Sequence, residues 1–320
     1  MSEPRIPFRL AAARRVRPLG AHAGIWMAGY STEAFARAAD GCAGAGFDLL
    51  ELPSSPEALA DASSIARGLD RRGLDRVVSL ALDTASDVSS ADEGVRAEGE
   101  RRLTEAVRLA EEVGAPYVGG VTFSAMTKFT EADDGSGRQR SLEVLRRVAS
   151  RAVEADVRIG VEYVNRYESN LLNTAADTRR FLEELDLPTA LLHIDTYHAN
   201  VEETSQAQAV ADAGDRLAYI HAAENHRGEL GTGSIDWAGF ARALVLAGYR
   251  GPLTFESFTP AVTGARTAAE IGLWRSLWSD PDAVAASAAR FLRLQLDLAE
   301  AAVGAASDPA RVTTASDLAA

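Results

Sequence analysis

The chain has 320 residues, 47% hydrophobic and 25% charged, with a formal net charge of −13; that is apolar material enough for one large core, so a single barrel of roughly 250 residues fits as well as two average domains. The acidic balance argues against a phosphate-backbone partner and reads as a solvated surface. One cysteine allows no internal disulfide, which fits a reducing, cytoplasmic setting, and no run of about 18 apolar residues is present to cross a membrane as a helix.

In chain order, residues 1–18 are Arg-rich and lack a continuous apolar stretch before a cleavage site. They are expected to form a flexible arm, not a secretory leader. HAGIWMA at 22–28 reads as the first strand. A helix follows from Ser31 to Ala45, opened by Ser-Thr-Glu, and Cys42 inside it reads as a buried structural thiol. FDLLEL (47–52) and RVVSLAL (76–82) are the next strands, before a long helix that stops at Gly114. YVGGVTF (117–123) leads to the helix SLEVLRRVASRAVEA, and RIGVEYV (158–164) to TAADTRRFLEEL, capped by Asn173 or Thr174. ALLHID (190–195) and LAYIHA (217–222) come next, then a helix from a capping Asp236 to about Gly248. PLTFES (252–257) is the eighth run, and a last helix covers roughly Asp282 to Ala302. Residues 304–320 are small and polar and are expected to be loose.

Several of the eight runs are apolar throughout instead of alternating, as in strands buried on both faces of a parallel sheet. Strand and helix alternate without reversal, which predicts an α/β chain: one (β/α)8 TIM barrel domain over 19–303. An open eight-stranded sheet is the structural alternative.

Barrel chemistry sits at the C-terminal ends of the strands. An acid inside an apolar strand is costly unless something pairs with it. Four residues stand out on four consecutive βα units: Glu162 in GVEYVN, Asp195 in LLHIDTYH, His221 in AYIHAAE and Glu256 in LTFESF. Singly, Asp195 reads as a cap and His221 as a satisfied core residue. Together, three acids and an imidazole with no obvious counter-ion point to a divalent metal. The mixed O/N set suits Mn2+ first, with Co2+ or Mg2+ as alternatives, better than a structural zinc. His198, Arg227 and Glu168 lie close by in sequence and can bind and polarise substrate oxygens. His226 reads as an exposed loop residue, and His193 as facing the helix layer. His22, near the start of the first run, is expected at the end of the barrel away from the chemistry. No GxGxxG opens a helix, so no nucleotide cofactor is expected.

VEYVNRYESNLLNTAADTRRFLEEL, HIDTYHANVEE, YIHAAENHRGELGTGSIDW and TFESF together resemble the ketose 3-epimerases, the D-tagatose and D-allulose (psicose) 3-epimerase group of the xylose isomerase-like TIM barrel superfamily. The likeness runs from about Gly24 to Leu294. It implies that Glu162, Asp195, His221 and Glu256 are metal ligands, and that Glu162 and Glu256 are also the paired acid/base carboxylates. It implies that Glu168, His198 and Arg227 hold the O1–O3 end of the sugar, and that Trp26 and Phe258 are aromatic pocket walls. Met126 stands where the family often has Trp, and Ser257 where many members have Pro. The implied function is metal-dependent inversion of C3 in free ketoses, by proton abstraction and return between two glutamates through a metal-stabilised enediolate. A homodimer or homotetramer is implied too, because members commonly assemble so. The alternatives on the same scaffold are an aldose–ketose isomerase, an epimerase or lyase of 3-keto-glycosides, and an inosose-type dehydratase. A DNA-repair barrel of the endonuclease IV kind is disfavoured by the acidic charge.

Overall fold

The computed structural model describes Phe8, Leu10, Ala11 and residues 16–306, apart from the Arg266 side chain. Its strands are β1 (Leu19–His22), β2 (Leu49–Pro53), β3 (Asp75–Leu82), β4 (Tyr117–Ala125), β5 (Arg158–Glu162), β6 (Ala190–Asp195), β7 (Leu217–Ala222) and β8 (Leu253–Phe255). The helices between them are α1 (Thr32–Ala45), α2 (Pro56–Ala60), α3 (Ala62–Asp70), α4 (Glu93–Val113), α5 (Ser136–Glu154) and α6 (Ala175–Leu185). Then come α7 (Thr196–Glu202), α8 (Gln206–Ala213), α9 (Trp237–Leu246), α10 (Pro260–Thr263), α11 (Ala265–Glu270) and α12 (Pro281–Ala306). Each strand pairs in parallel with the next, and Leu19 of β1 lies opposite Leu253 of β8, closing the barrel. That pairing removes the open-sheet alternative. No helix among the described residues is long and apolar enough to cross a membrane.

Local chemistry sets the helix ends. Ser31 accepts the Ala34 N–H at 3.2 Å and Asp92 accepts the Gly94 N–H at 2.7 Å, each satisfying a first-turn donor. Gly114 ends α4 in the left-handed conformation at φ 73°. Thr174, not Asn173, caps α6 by accepting the Asp177 N–H.

The first strand departs from expectation. HAGIWMA is not the strand: β1 ends at His22, and residues 23–25 form one 3-10 turn. Ala23, Ile25, Trp26 and Met27 are apolar because they pack into the core, not because they pair in the sheet. The His22 ring caps the turn, its Nδ1 accepting the Gly24 N–H at 3.1 Å. His22 therefore stands at the C-terminal mouth of the barrel, opposite to where its position in the apolar run placed it.

Two cores hold the fold together. The larger fills the layer between strands and helices. The smaller fills the floor of the lumen with Leu49, Val77, Tyr117, Leu191 and Tyr219. Of the arm expected over 1–18, Phe8 and Leu10 join this floor from below, and Phe8 stacks on Tyr117 with ring centroids 4.9 Å apart. Tyr117 stacks in turn on Tyr219 at 5.0 Å. Tyr117 fits because Gly160 is beside it: a Cβ there would come within 1.7 Å of the phenol oxygen. Gly160→Ala is expected to cost about 1–3 kcal/mol through overpacking. Urea unfolding checks this; an unchanged midpoint would mean the floor yields more easily than its geometry implies.

Candidate metal centre and active site

Glu162 is the last residue of β5, Asp195 the last of β6, and His221 the penultimate residue of β7. Glu256 follows β8 directly, its N–H donating to the Ala222 carbonyl at 3.1 Å. Parallel register brings these ends to one mouth, with Asp195 paired opposite His221. Nδ1 of His221 lies 3.2 Å from Glu162 Oε1 and 3.6 Å from Glu256 Oε1. Ligand atoms of Asp195, His221 and Glu256 all lie within 4.8 Å of one another, as do those of Glu162, Asp195 and His198 and those of Glu162, His193 and His221. The structure thus gathers the four strand-end residues into one buried cluster.

The electrostatics of that cluster call for a cation. Burial, followed by the charges of Glu256 and Glu162, pushes the Asp195 carboxyl well above the usual carboxylate range. Burial raises Glu162 too, against the pull of His221. Burial alone would keep His221 neutral, but Glu51, Glu256 and Glu162 outweigh it and hold its imidazole protonated well above the usual range. Asp195 Oδ2 is buried with no hydrogen-bond partner among the described residues. An orphaned carboxylate oxygen beside mutually repelling acids is the donor set a divalent ion satisfies. The residues fit one.

Around the cluster sits a layer of donors. The Asn165 backbone N–H donates to Nδ1 of His198 at 3.2 Å. The proton of this imidazole, which burial and then Arg227 hold neutral, is therefore on Nε2. Nε2 lies 3.5 Å from Asp195 Oδ2. Arg227 Nη2 lies 3.5 Å from Glu168 Oε2 and 3.4 Å from His198 Nε2. The Arg227 guanidinium is sandwiched between Tyr197, 4.1 Å from the ring centroid, and Phe258, at 5.4 Å. Its backbone takes the left-handed conformation at φ 59°, uncommon for a residue with a side chain. Ser257 secures it: the hydroxyl donates to the Arg227 carbonyl at 2.8 Å and accepts from Trp278 Nε1 at 2.8 Å. The serine that stands where the family often has proline thus pins the loop that carries Arg227.

The remaining wall residues are placed unequally. Phe258 is half-buried, its ring 6.1 Å from that of His22 at the mouth. Met126 is half-buried just beyond β4, next to Thr127, whose N–H donates to the Glu168 carbonyl at 2.8 Å. Trp26 turns its indole over Gly41 of α1 and donates its N–H to Asp282 of α12 at 2.9 Å. Its polar edge therefore serves the contact between those helices.

Sequence reading missed two residues of the cluster. His193 does not face the helix layer: its ring lies 4.2 Å from that of His221, and its Nδ1 is 3.6 Å from Glu162 Oε2. The signal was there, because His193 and Asp195 are two apart in one strand and so share a face. Glu51, fully buried in β2, contacts His221 Nε2 at 2.9 Å. It is an acid inside an apolar run, the same criterion that selected Glu162. Burial works against its charge, but His221 overrides burial and holds the carboxyl well below the usual range.

Among known proteins, the family described as xylose isomerase-like TIM barrel matches residues 39–295. A ketose 3-epimerase of Arthrobacter globiformis is 38% identical over 278 residues, 87% of this chain and 96% of its own length. The crystal structure of a D-allulose 3-epimerase from Methylomonas sp. in complex with D-allulose superposes with a TM-score of 0.84 at 35% identity, covering 90% of this chain and all of that one. A 3-dehydro-D-guloside 4-epimerase of Escherichia coli is 38% identical, but over only 116 residues, 36% of this chain and 43% of its own. With a closed eight-stranded barrel and full-length likeness to such enzymes, the chain belongs to the ketose 3-epimerase group of the xylose isomerase-like TIM barrel family.

Proposed function

We propose that this protein inverts C3 of a free ketose, with Glu162 and Glu256 moving the proton. One observation carries the reading: the two carboxylates, at the end of β5 and just after β8, approach the same nitrogen of His221, at 3.2 and 3.6 Å. A sugar carbon held between them would meet a base on each face. Glu162, Asp195, His221 and Glu256 would hold one divalent ion, Mn2+ by the mixed donor set. When bound, that ion supplies Lewis-acid stabilisation of the negative charge that develops as C3 loses its proton.

The chain's own groups do the rest. One glutamate takes the C3 proton and the other returns one to the opposite face. Glu162, raised by burial, is suited to hold a proton and release it. The Nε2–H of His198 and the guanidinium of Arg227 donate to O1 and O2, and Glu168 accepts from a hydroxyl while orienting Arg227. Phe258, Met126 and Trp26 would supply the apolar walls of the sugar site. This full-length likeness favours free ketoses over 3-keto-glycosides, for which the likeness covers only part of the chain.

The reading includes a cytoplasmic homo-oligomer, supported by the single reduced Cys42 and by apolar side chains left outside the fold. Trp274 is 80% exposed and Leu294 and Leu298 of α12 are 55% and 57% exposed. Product analysis tests the activity. With added Mn2+, D-allulose, D-fructose and L-ribulose are expected to interconvert with their C3 epimers. An aldose product, or turnover of a 3-keto-glycoside alone, would replace this reading with an alternative.

A further inference from the structure

We propose that Glu51 is the positioning residue for His221: its carboxylate fixes the imidazole with the proton on Nε2 and leaves Nδ1 to face the cation. The inference rests on the reading above that Glu162, Asp195, His221 and Glu256 hold a divalent ion. The geometry separates the two edges of the ring. Both Glu51 oxygens reach Nε2, at 3.0 and 2.9 Å. Glu162 and Glu256 face Nδ1. An ionised carboxylate only accepts hydrogen bonds, and a neutral imidazole carries a single N–H. In the metal-free protein both nitrogens are protonated; once a cation takes the place of the Nδ1 proton, the remaining N–H sits on Nε2 against Glu51 and the Nδ1 lone pair faces the other donor atoms.

Glu51 is itself held in place. Tyr219 donates its hydroxyl to Oε2 at 2.7 Å and also contacts Thr254 Oγ1. Tyr219 is wedged in turn by Tyr117 on the lumen floor. A continuous stack thus runs up the barrel axis from Phe8 through Tyr117 and Tyr219 to Glu51 and His221. Glu51 stands on β2 and His221 on β7, with β1 and β8 between them, so the bond spans the lumen and is not a by-product of strand pairing. A fully buried carboxylate with no metal-facing role of its own is explained by what it does to the imidazole.

The test is a double-mutant cycle on Mn2+ affinity, counting free Mn2+ by its electron paramagnetic resonance signal. In the otherwise intact protein, Glu51→Gln is expected to weaken Mn2+ binding about 10- to 100-fold. In a His221→Gln background the same substitution should change the dissociation constant by less than about twofold, since the group it acts through is gone. A purely space-filling Glu51 would weaken both backgrounds equally or neither, and either result overturns the proposal. Should Glu51→Gln not fold, Tyr219→Phe decides. Losing the donor that holds Oε2 should weaken Mn2+ binding by at least about threefold, and an unchanged constant rejects the relay. Wild-type protein that binds no Mn2+ at all would fail the cation reading itself, a result distinct from any of these.

Discussion

Glu162→Gln and Glu256→Gln should each lower epimerisation by about 10^3-fold or more, measured as deuterium entering C3 of D-allulose in deuterated water. General acid–base catalysis contributes roughly 10^2 to 10^4 in rate, and an amide can neither take nor return the proton. Because each glutamate serves one face, the variants should fail differently. A variant that keeps one base can still wash the proton out of one epimer. Residual exchange should then be confined to opposite epimers in the two variants, which assigns each glutamate its face. Gln retains a carbonyl oxygen for the cation, so Mn2+ affinity measured in parallel separates lost ligation from lost proton transfer. Exchange from both epimers in both variants, at near wild-type rates, would remove the two glutamates from the chemistry.

The second large effect concerns the cation itself. Without it, the fold must hold Asp195 and Glu162 beside Glu256, with the His221 proton as partial compensation. The signs follow from the shifts. Asp195 and Glu162 are raised carboxyls, so the metal-free fold binds their protons more tightly than the unfolded chain does. Their contribution to stability is present at low pH and is lost as pH rises above the usual carboxylate range. His221 is a raised imidazole, whose contribution is present below its usual range and is lost as pH passes its elevated folded value. All three therefore weaken the metal-free protein as pH rises. A divalent ion competes with those protons, so its stabilising effect should grow over the same interval. At about 100 times its dissociation constant, Mn2+ should stabilise by roughly 2.7 kcal/mol. That corresponds to about 4–5 °C in Tm for a domain of this size. The Tm gain on adding Mn2+ should be larger at pH 8 than at pH 6. Equal gains at both would mean the ion does not bind where Asp195 and His221 hold their protons.

Much of this site was legible before folding. Eight apolar runs divided by capped helices required a parallel α/β architecture. Three acids and an imidazole at the ends of four successive runs required something to neutralise them, since no Lys or Arg adjoins them in sequence. The cost of burying charge is a property of residue types, so it can be read from a string.

Facing and register cannot always be read that way. A strand buried on both sides shows no alternation, so nothing in ALLHID by itself says which face looks inward. His193 joined the site only because Asp195, two residues on, is seen to do so. His22 changed ends of the barrel because β1 stops where the apolar run begins; the run packs as a turn and not as a strand. Ser257 took its meaning from the Arg227 carbonyl and the Trp278 indole, 30 and 21 residues away in the chain. Glu51 is the clearest case. Its residue type and its apolar neighbours marked it as costly, but its partner lies on β7, 170 residues on. Residue types and their positions marked which groups would need neutralising and placed them at the ends of consecutive strands; that they meet at one mouth followed from closure. Which groups face one another across the lumen was decided by closure of the barrel, because the β1–β8 pairing brings β2 and β7 to within two intervening strands of each other.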